Sequence, residues 1–217
     1  MNMKPYIKII TQVTGPIQNN TFLIYDEKGN CVIVDAPFGC LEAIKPFIKD
    51  KLKEPEYILI THTHFDHIGG LAELKREYPN TNICVHKDDI FRLSEPSVNV
   101  QGMNIPIEVT KADTILSGGE EIKCGDMSFD VIHTPGHSAG CICFSDVSQK
   151  IIFVGDTLFH SSIGRTDLEG GDYDTLINSI RTKLWKLDDN TNVYTGHGIN
   201  TTIGYEKNNN PFLSVKD

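Results

Sequence analysis

The chain has 217 residues, with 20 basic and 29 acidic side chains and a formal net charge of −9. Its 39% hydrophobic and 23% charged residues are typical of a globular protein with a buried core, which excludes a disordered or fibrous chain. The acidic balance disfavours nucleic acid as the main partner, because an acidic surface repels phosphate groups.

The first half of the chain alternates apolar strand-like segments with amphipathic ones. Strands are predicted over residues 6–13, 20–26, 31–35 and 57–61. Residues 40–53 carry apolar side chains at helical spacing, with Pro46 marking a kink or an early end. A second helix is predicted after residue 61, with Pro79 as its stop.

The second half repeats this pattern. Strands are predicted at 82–86, 121–124, 127–133, 140–145 and 150–154, with 192–195 as a last short strand. The apolar stripe between residues 172 and 187 predicts the clearest helix. Strand clusters in both halves, each with helices, predict two packed sheets with helices outside. Because no linker divides the chain, we expect a single domain over residues 1–217.

The cysteines and apolar runs bear on the compartment. Six cysteines could form three disulfides, but their scatter, the absence of a CxxC pair and the lack of a signal-peptide core favour reduced thiols. No apolar run approaches the roughly 20 residues that span a bilayer. We therefore expect a cytoplasmic protein without a membrane partner, and the sequence leaves its oligomeric state open.

A dense group of histidines follows the buried strand at 57–61, in the segment Thr61–Gly70. His62 and His64 are two residues apart and point to one side if the backbone stays extended. Asp66 and His67 fall at the start of the following helix and point elsewhere. Neutral imidazoles and a carboxylate are ligands that borderline divalent metals prefer. Ligands on two sides predict two metal ions.

Three further candidate ligands also follow predicted strands. His137 lies in a Pro-Gly loop, Asp156 follows the strand at 150–154, and His197 follows the strand at 192–195. Each is weak evidence alone, because a single histidine or a Gly-Asp turn after a strand is common. Together with the dense motif they form a cluster of five histidines and two aspartates at strand ends.

At these residues the chain resembles the metallo-β-lactamase-fold hydrolases, and specifically a short glyoxalase II-like form without the C-terminal helical domain. The resemblance extends over nearly the whole chain and implies an α/β fold, a four-layer αβ/βα sandwich with a dinuclear site at the sheet edges. It assigns one metal to His62, His64 and His137, the other to Asp66, His67 and His197, and makes Asp156 the bridge. The bridging aspartate disfavours the true β-lactamases, and His64 disfavours the flavodiiron branch.

The resemblance implies a dinuclear metal-dependent hydrolase that cleaves a thioester, such as an S-lactoylglutathione-like hydroxyacyl thiol, through a metal-bridging hydroxide. Asp66 is expected to bind metal and to accept a hydrogen bond from the nucleophile. Ligation by histidine and aspartate without cysteine suits zinc best, with iron or manganese as alternatives. Asp35, at a strand end, is a candidate partner that orients a ligand imidazole.

Substrate contacts are expected from Arg165, His160 and Lys207. Glutathione-binding relatives carry a cation and then a tyrosine after the bridging aspartate, whereas this chain has Arg165 and then Asp167. A second tyrosine position holds Ile199. We therefore expect weak glutathione recognition. The structural alternative for Arg165 and Asp167 is a local salt bridge that shapes the loop.

The best alternative is a persulfide dioxygenase, which uses one iron in the same fold. The string Gly164–Asp167 resembles that family, and its iron would use His62, His137 and Asp156. Other hydrolytic substrates, such as lactones and phosphodiesters, also stay open. His86 and His133 are expected to be structural.

Overall fold

The structure is a computed structural model that describes residues 6–49, 51–95, 97–100 and 102–213. Its strands are β1 (Ile7–Thr14), β2 (Asn19–Asp26), β3 (Cys31–Val34), β4 (Tyr57–Leu59), β5 (Asn82–His86), β6 (Ser97–Val100), β7 (Met103–Pro106), β8 (Thr114–Leu116), β9 (Glu121–Cys124), β10 (Met127–His133), β11 (Ile142–Asp146), β12 (Ile151–Gly155), β13 (Leu158–Phe159), β14 (Ser162–Ile163), β15 (Asn192–Thr195) and β16 (Thr201–Thr202). Its helices are α1 (Cys40–Ile48), α2 (Phe65–Ile68), α3 (Leu71–Glu77), α4 (Tyr173–Lys183) and α5 (Ile203–Asn209).

The strands form two six-stranded sheets. The first has the order β1-β2-β3-β4-β5-β8 and the second the order β16-β15-β12-β11-β10-β9. Strands β3, β4, β5 and β8 are parallel, as are β12 and β15. Because parallel strands end at the same edge of a sheet, the loops after β3, β4 and β5 leave from one edge, and so do the segments after β12 and β15.

Alternation along β2 shows how the core is divided. Phe22 and Ile24 pack between the two sheets, where the ring of Phe22 lies 5.1 Å from that of Phe153. Leu23 faces the other way and packs with Leu41 on α1. Successive side chains of a strand point to opposite faces, so each sheet buries both faces.

Helices cover the outer face of each sheet. Residues of α1 and α3 pack on the first sheet, and residues of α4 and α5 pack on the second. Helix α4 begins at an N-cap in which Asp172 accepts a hydrogen bond of 2.8 Å from the Thr175 N–H. The predicted α/β sandwich of two sheets between helical layers is confirmed.

Two predicted helices are shorter than expected. The helix predicted over 40–53 ends at Ile48, two residues after Pro46. The helix predicted after residue 61 divides into α2 and α3 at Gly69 and Gly70. A Cβ on Gly69 would lie 2.3 Å from the Phe38 ring, so the chain needs glycine to pass this closely.

Several elements were not predicted. Strands β6 and β7 form an antiparallel hairpin, and β8 completes the first sheet beside β5. The prediction that 192–195 is the last strand is wrong, because β16 pairs with β15 and leads into α5. The side chain of Thr202 caps that helix by accepting from the Tyr205 N–H, which supports a helix that has little apolar periodicity.

The cysteines agree with the expectation of reduced thiols. All six are free and buried. Burial raises the pKa of the Cys31 and Cys84 thiols to about 12, which keeps them protonated at neutral pH. Within the described ranges, no helix combines the length and apolar character needed to cross a bilayer.

Candidate metal centre

Loops from both sheets bring the seven predicted ligands together. The segment after β4 carries His62 and His64, and α2 carries Asp66 and His67. The second sheet contributes the other three from the loop after β10 and from the residues directly after β12 and β15, namely His137, Asp156 and His197. The two sheets therefore share the site.

The histidine-only set consists of His62, His64 and His137, whose ligand atoms all lie within 4.8 Å of one another. His137 Nε2 is 2.9 Å from His64 Nδ1 and 3.1 Å from His62 Nε2. The Arg165 carbonyl accepts a 2.7 Å hydrogen bond from His137 Nδ1, which leaves the lone pair of this imidazole on Nε2. Three imidazole nitrogens thus converge on one point.

The mixed set consists of Asp66, His67 and His197, and its ligand atoms also lie within 4.8 Å of one another. Asp66 Oδ2 is 3.1 Å from His197 Nε2 and 3.3 Å from His67 Nε2. Asp35 Oδ2 accepts a 2.8 Å hydrogen bond from His67 Nδ1, so the His67 lone pair is on Nε2 and points into the set.

Asp156 lies between the two sets. Its Oδ1 is 3.3 Å from His67 Nε2, and its Oδ2 is 3.6 Å from His137 Nε2 and 3.7 Å from His197 Nε2. This is the position in which a carboxylate can contact two ions at once.

Two buried atoms test whether these residues fit metal ions. Among the described side chains, His67 Nε2 and Asp156 Oδ1 are buried without a hydrogen-bond partner. A neutral His67 would set its lone pair against carboxylate oxygens, an arrangement that only a bound cation or a proton stabilises. Histidine nitrogens and carboxylate oxygens are the donors that zinc, iron and manganese take. The residues present fit a metal pair.

The two sets differ in their proton affinity. Burial and the neighbouring imidazoles hold the pKa of His62 well below 6.5 and lower that of His64 to about 3. In the mixed set, burial opposes protonation of His67 and His197, but the carboxylates around them raise both pKa values. Burial would raise the pKa of Asp66, yet the His67 and His197 imidazoles lower it.

Asp35 and Asn19 support the mixed set. Asp35 is fully buried at the end of β3 and also accepts a 2.8 Å hydrogen bond from the Thr61 N–H. Its contact with His67 is the one expected from the sequence. Asn19 Nδ2 donates to Asp66 Oδ2 at 3.2 Å, a contact that the sequence did not suggest.

Asp89, which the sequence analysis missed, joins the two loops of the histidine-only set. Its Oδ2 accepts from the Thr63 N–H at 3.3 Å and from Ser138 Oγ at 2.7 Å. Its Oδ1 accepts from the Gly140 N–H at 2.9 Å and from Arg92 at 3.1 Å. One fully buried carboxylate thus holds the loop after β4 against the loop after β10.

A cleft of about 880 Å³ opens over the ligands, and Arg165 is among its lining residues. His160 and Lys207 are not among the residues described as lining it. The His160 ring stacks on Tyr205 at 4.6 Å, and Lys207 donates to Asp189 Oδ1 at 2.6 Å. Helix α5 therefore directs the Lys207 ammonium toward the loop before β15, so the structure does not support its expected substrate contact.

His86 and His133 form a separate pair. Together with Asp88 they are a further group whose ligand atoms lie within 4.8 Å of one another. Their rings stack at 4.1 Å with 18° between the planes. The in-plane lone pairs of near-parallel rings do not converge, so the pair packs β5 against β10 and is not arranged as a metal site.

The family model of the metallo-beta-lactamase superfamily matches residues 14–197, a range that contains all seven predicted ligands. The chain belongs to this superfamily. The resemblance found in the sequence is therefore confirmed at the level of the superfamily.

Two curated relatives cover almost all of the chain. A protein named as the probable metallo-hydrolase YqgX of Bacillus subtilis is 40% identical over 203 residues, which are 92% of this chain and 94% of the relative. The hydroxyacylglutathione hydrolase GloC of Haemophilus influenzae is 38% identical over 201 residues, with the same coverage of 92% and 94%.

Solved structures agree on the fold. The B3 metallo-beta-lactamase BLEG-1 matches with a TM-score of 0.87 and 38% identity over 97% of this chain and 100% of that one. TTHA1623 in a di-iron-bound form has a TM-score of 0.82 at 33% identity, covering 94% and 100%. ETHE1 from Myxococcus xanthus has a TM-score of 0.77 at 25% identity, covering 94% and 83%.

Proposed function

We propose that the protein is a dinuclear metal-dependent hydrolase that cleaves a thioester, such as a hydroxyacyl thiol. One observation carries the proposal: two sets of converging ligand atoms share Asp156 on the floor of an open cleft. The similarity to a metallo-hydrolase and to GloC supports it.

The seven residues are proposed to hold two divalent ions. The first ion would be bound by His62, His64 and His137, and the second by Asp66, His67 and His197. Asp156 would bind both ions. Ions held there would lower the pKa of a coordinated water toward 7 and polarise the substrate carbonyl. Zinc is the first candidate, with iron or manganese as alternatives.

The side chains of the chain itself position the reactants. One Asp66 oxygen faces His67, His197 and Asn19, and the other is proposed to accept a hydrogen bond from the attacking water. The water gives up a proton to solvent by way of Asp66, its oxygen bonds to the acyl carbon, the carbon–sulfur bond breaks, and the thiol leaves as a thiolate. A thiol pKa of about 8.5 allows this departure without a dedicated general acid.

A persulfide dioxygenase is the second candidate. The Gly164–Asp167 string favours it, the likeness to ETHE1 leaves the activity open, and His62, His137 and Asp156 would hold its single iron. The convergence of a second complete set of ligands favours the hydrolase.

We further propose a small-molecule substrate, no nucleic-acid partner and, from the six free thiols, a cytoplasmic location.

The test uses protein loaded separately with zinc, iron or manganese. Each form is given S-lactoylglutathione, glutathione persulfide and a β-lactam, the last because of the likeness to BLEG-1. Thioester loss, oxygen uptake and β-lactam opening are followed in parallel. We expect thioester loss that requires both ions. Oxygen uptake by the iron form without thioester loss would replace the proposal by the dioxygenase.

A further inference from the structure

Apolar side chains form part of the lining of the cleft over the predicted metal ligands. They come from α2, β6 and β13 and from the segments after β1, β7 and β14. The apolar lining residues include Ile17, Phe65, Val98, Ile107, Phe159 and Leu168. The cleft therefore offers a substrate apolar contact beside the reaction centre.

Two guanidinium groups also line the cleft, and each is already engaged. Arg92 donates to Asp89 Oδ1 at 3.1 Å and to the Glu169 carbonyl at 3.1 Å. Its guanidinium also lies over the Phe91 ring, 4.4 Å from the centroid. The Arg92 side chain is only 12% exposed, so it stabilises the neighbouring loops and has little accessible surface for contact with a substrate.

Arg165 is engaged differently, by a neighbour in sequence. Its Nε and Nη2 donate to the two oxygens of Asp167, each at 2.7 Å, in a two-point fork. The hydrogen bonds from Arg165 lower the pKa of Asp167 to about 2, so this carboxylate stays charged at neutral pH. A substrate anion would have to displace it.

The charges around the cleft are not favourable to an anion. Apart from the predicted metal ligands, the charged lining residues are Arg92, Arg165, Glu95 and Glu169. Each guanidinium is also paired with a carboxylate outside the described lining, Arg92 with Asp89 and Arg165 with Asp167. An anionic thiol carrier such as a glutathione tripeptide meets cations that are already neutralised, next to carboxylates that repel it.

We infer that the cleft selects uncharged thioesters with an apolar acyl chain, and that Asp167 is the residue that disfavours anionic thiol carriers. This inference rests on the proposed thioesterase activity and names its substrate class. It makes Arg165 part of a neutral ion pair on the rim and not a free anion receptor.

The experiment compares two substrates that share one acyl group. Hexanoyl thioesters of glutathione, which is anionic, and of N-acetylcysteamine, which is uncharged, are given to the zinc-loaded full chain. The readout is the ratio of the two kcat/KM values. We expect the wild type to favour the uncharged thioester. Asp167→Asn should shift the ratio toward glutathione by roughly threefold to fivefold, the range of an exposed ion pair.

Asp126→Asn is the matched control. It removes the same charge from an exposed pair with Lys28, which does not line the described cleft, whereas Arg165, the partner of Asp167, does; the ratio should therefore stay at its wild-type value. A wild-type preference for the glutathione thioester, or an Asp167→Asn ratio equal to that of the control, would overturn the inference.

Acyl chain length tests the apolar walls. Over acetyl, butyryl and hexanoyl N-acetylcysteamine, kcat/KM should rise by up to about fourfold for each methylene that contacts the walls. Val98→Asn should flatten this rise, whereas Val147→Asn, at an exposed valine outside the described lining, should not. A wild-type rate that does not depend on chain length would contradict the apolar walls.

Binding separates this inference from the proposed activity. Thioether analogues of the two hexanoyl compounds cannot be hydrolysed, and their affinities are measured by calorimetry. If neither thioester is cleaved but the uncharged thioether binds more tightly, the thioesterase proposal fails and the selectivity of the cleft stands. If the glutathione thioether binds as tightly as the uncharged one, the cleft inference fails whatever the activity.

Discussion

The two ligand sets lie side by side but differ in charge. The histidine-only set of His62, His64 and His137 contains no carboxylate, and burial lowers the pKa values of His62 and His64. The mixed set has a carboxylate, and its histidines have raised pKa values. At neutral pH a metal ion has no proton to displace from His62 or His64, whereas it competes with protons at His67 and His197.

The residues that support the two sets also differ, in whether they contact the ligand side chains directly. Asp89 holds the histidine-only set indirectly, by main-chain and hydroxyl hydrogen bonds that fix the loops. Asp35 and Asn19 touch ligands of the mixed set directly. The comparison indicates that loop geometry positions the histidine-only set, whereas charged and polar neighbours position the mixed set. Asp156 lies between the two.

The largest effect is expected from Asp156→Ala. Asp156 contacts both sets, so its loss should weaken both ions and lower activity by more than the roughly hundredfold that loss of an outer partner costs. Metal content after gel filtration and kcat measure this. A variant that keeps two tightly bound ions would show that Asp156 does not join the sets.

His64→Ala and His197→Ala form a matched pair, one in each set. Each should reduce the bound metal from two ions to one, because each set keeps only two of its own ligands. Metal analysis by atomic emission checks the count. Two ions retained in either variant would refute the assignment of that ligand.

Asp89→Asn should weaken only the histidine-only set, by about tenfold to a hundredfold in metal affinity. The reason is that four donors point at the Asp89 carboxylate, and an amide N–H₂ would face one or more of them. Chelator competition is measured in the His197→Ala background, which keeps this set. The same substitution in the His64→Ala background is the control and should have little effect.

A smaller difference is expected in pH dependence. His67 and His197 have raised pKa values. As the pH falls, protons therefore begin to compete with metal in the mixed set at a pH above 6.5, the ordinary imidazole pKa. Burial lowers the pKa values of His62 and His64, so these two imidazoles stay unprotonated until well below pH 6.5. Metal retained after dialysis between about pH 8 and 5 should fall at higher pH in His64→Ala than in His197→Ala. Equal release curves would contradict the comparison.

Much of the ligand group could be predicted, because the seven residues lie in short polar segments that follow apolar strands. The spacing of His62, His64 and Asp66 on a strand end is local information. That the loop of His137 meets them is not local, and there the family resemblance supplied what spacing could not. Their roles as ligands stay predictions until a metal is measured.

The residues that were missed act through contacts distant in sequence. Asp89 stands in a polar Lys87-Asp88-Asp89 run that resembles a surface turn, and only the approach of Ser138 and Gly140 makes it a buried acceptor. The β6–β7 hairpin had a weak signal in its glycine turn at Gly102.

The pairing of Lys207 with Asp189 could not be predicted, for a related reason. Closeness to the chain end says nothing of which way a short helix turns its side chains, and α5 turns this one toward Asp189.

Because each ligand set draws on both sheets, a bound ion is also a cross-link between the two halves of the chain. His62 and His64 come from one half and His137 from the other, and His67 and His197 repeat this division. An ion that binds only the native state adds about 2.7 kcal/mol at a hundredfold excess over its Kd. Bound metals would therefore stabilise the packing of the two sheets, and metal loading would raise the Tm of the whole molecule.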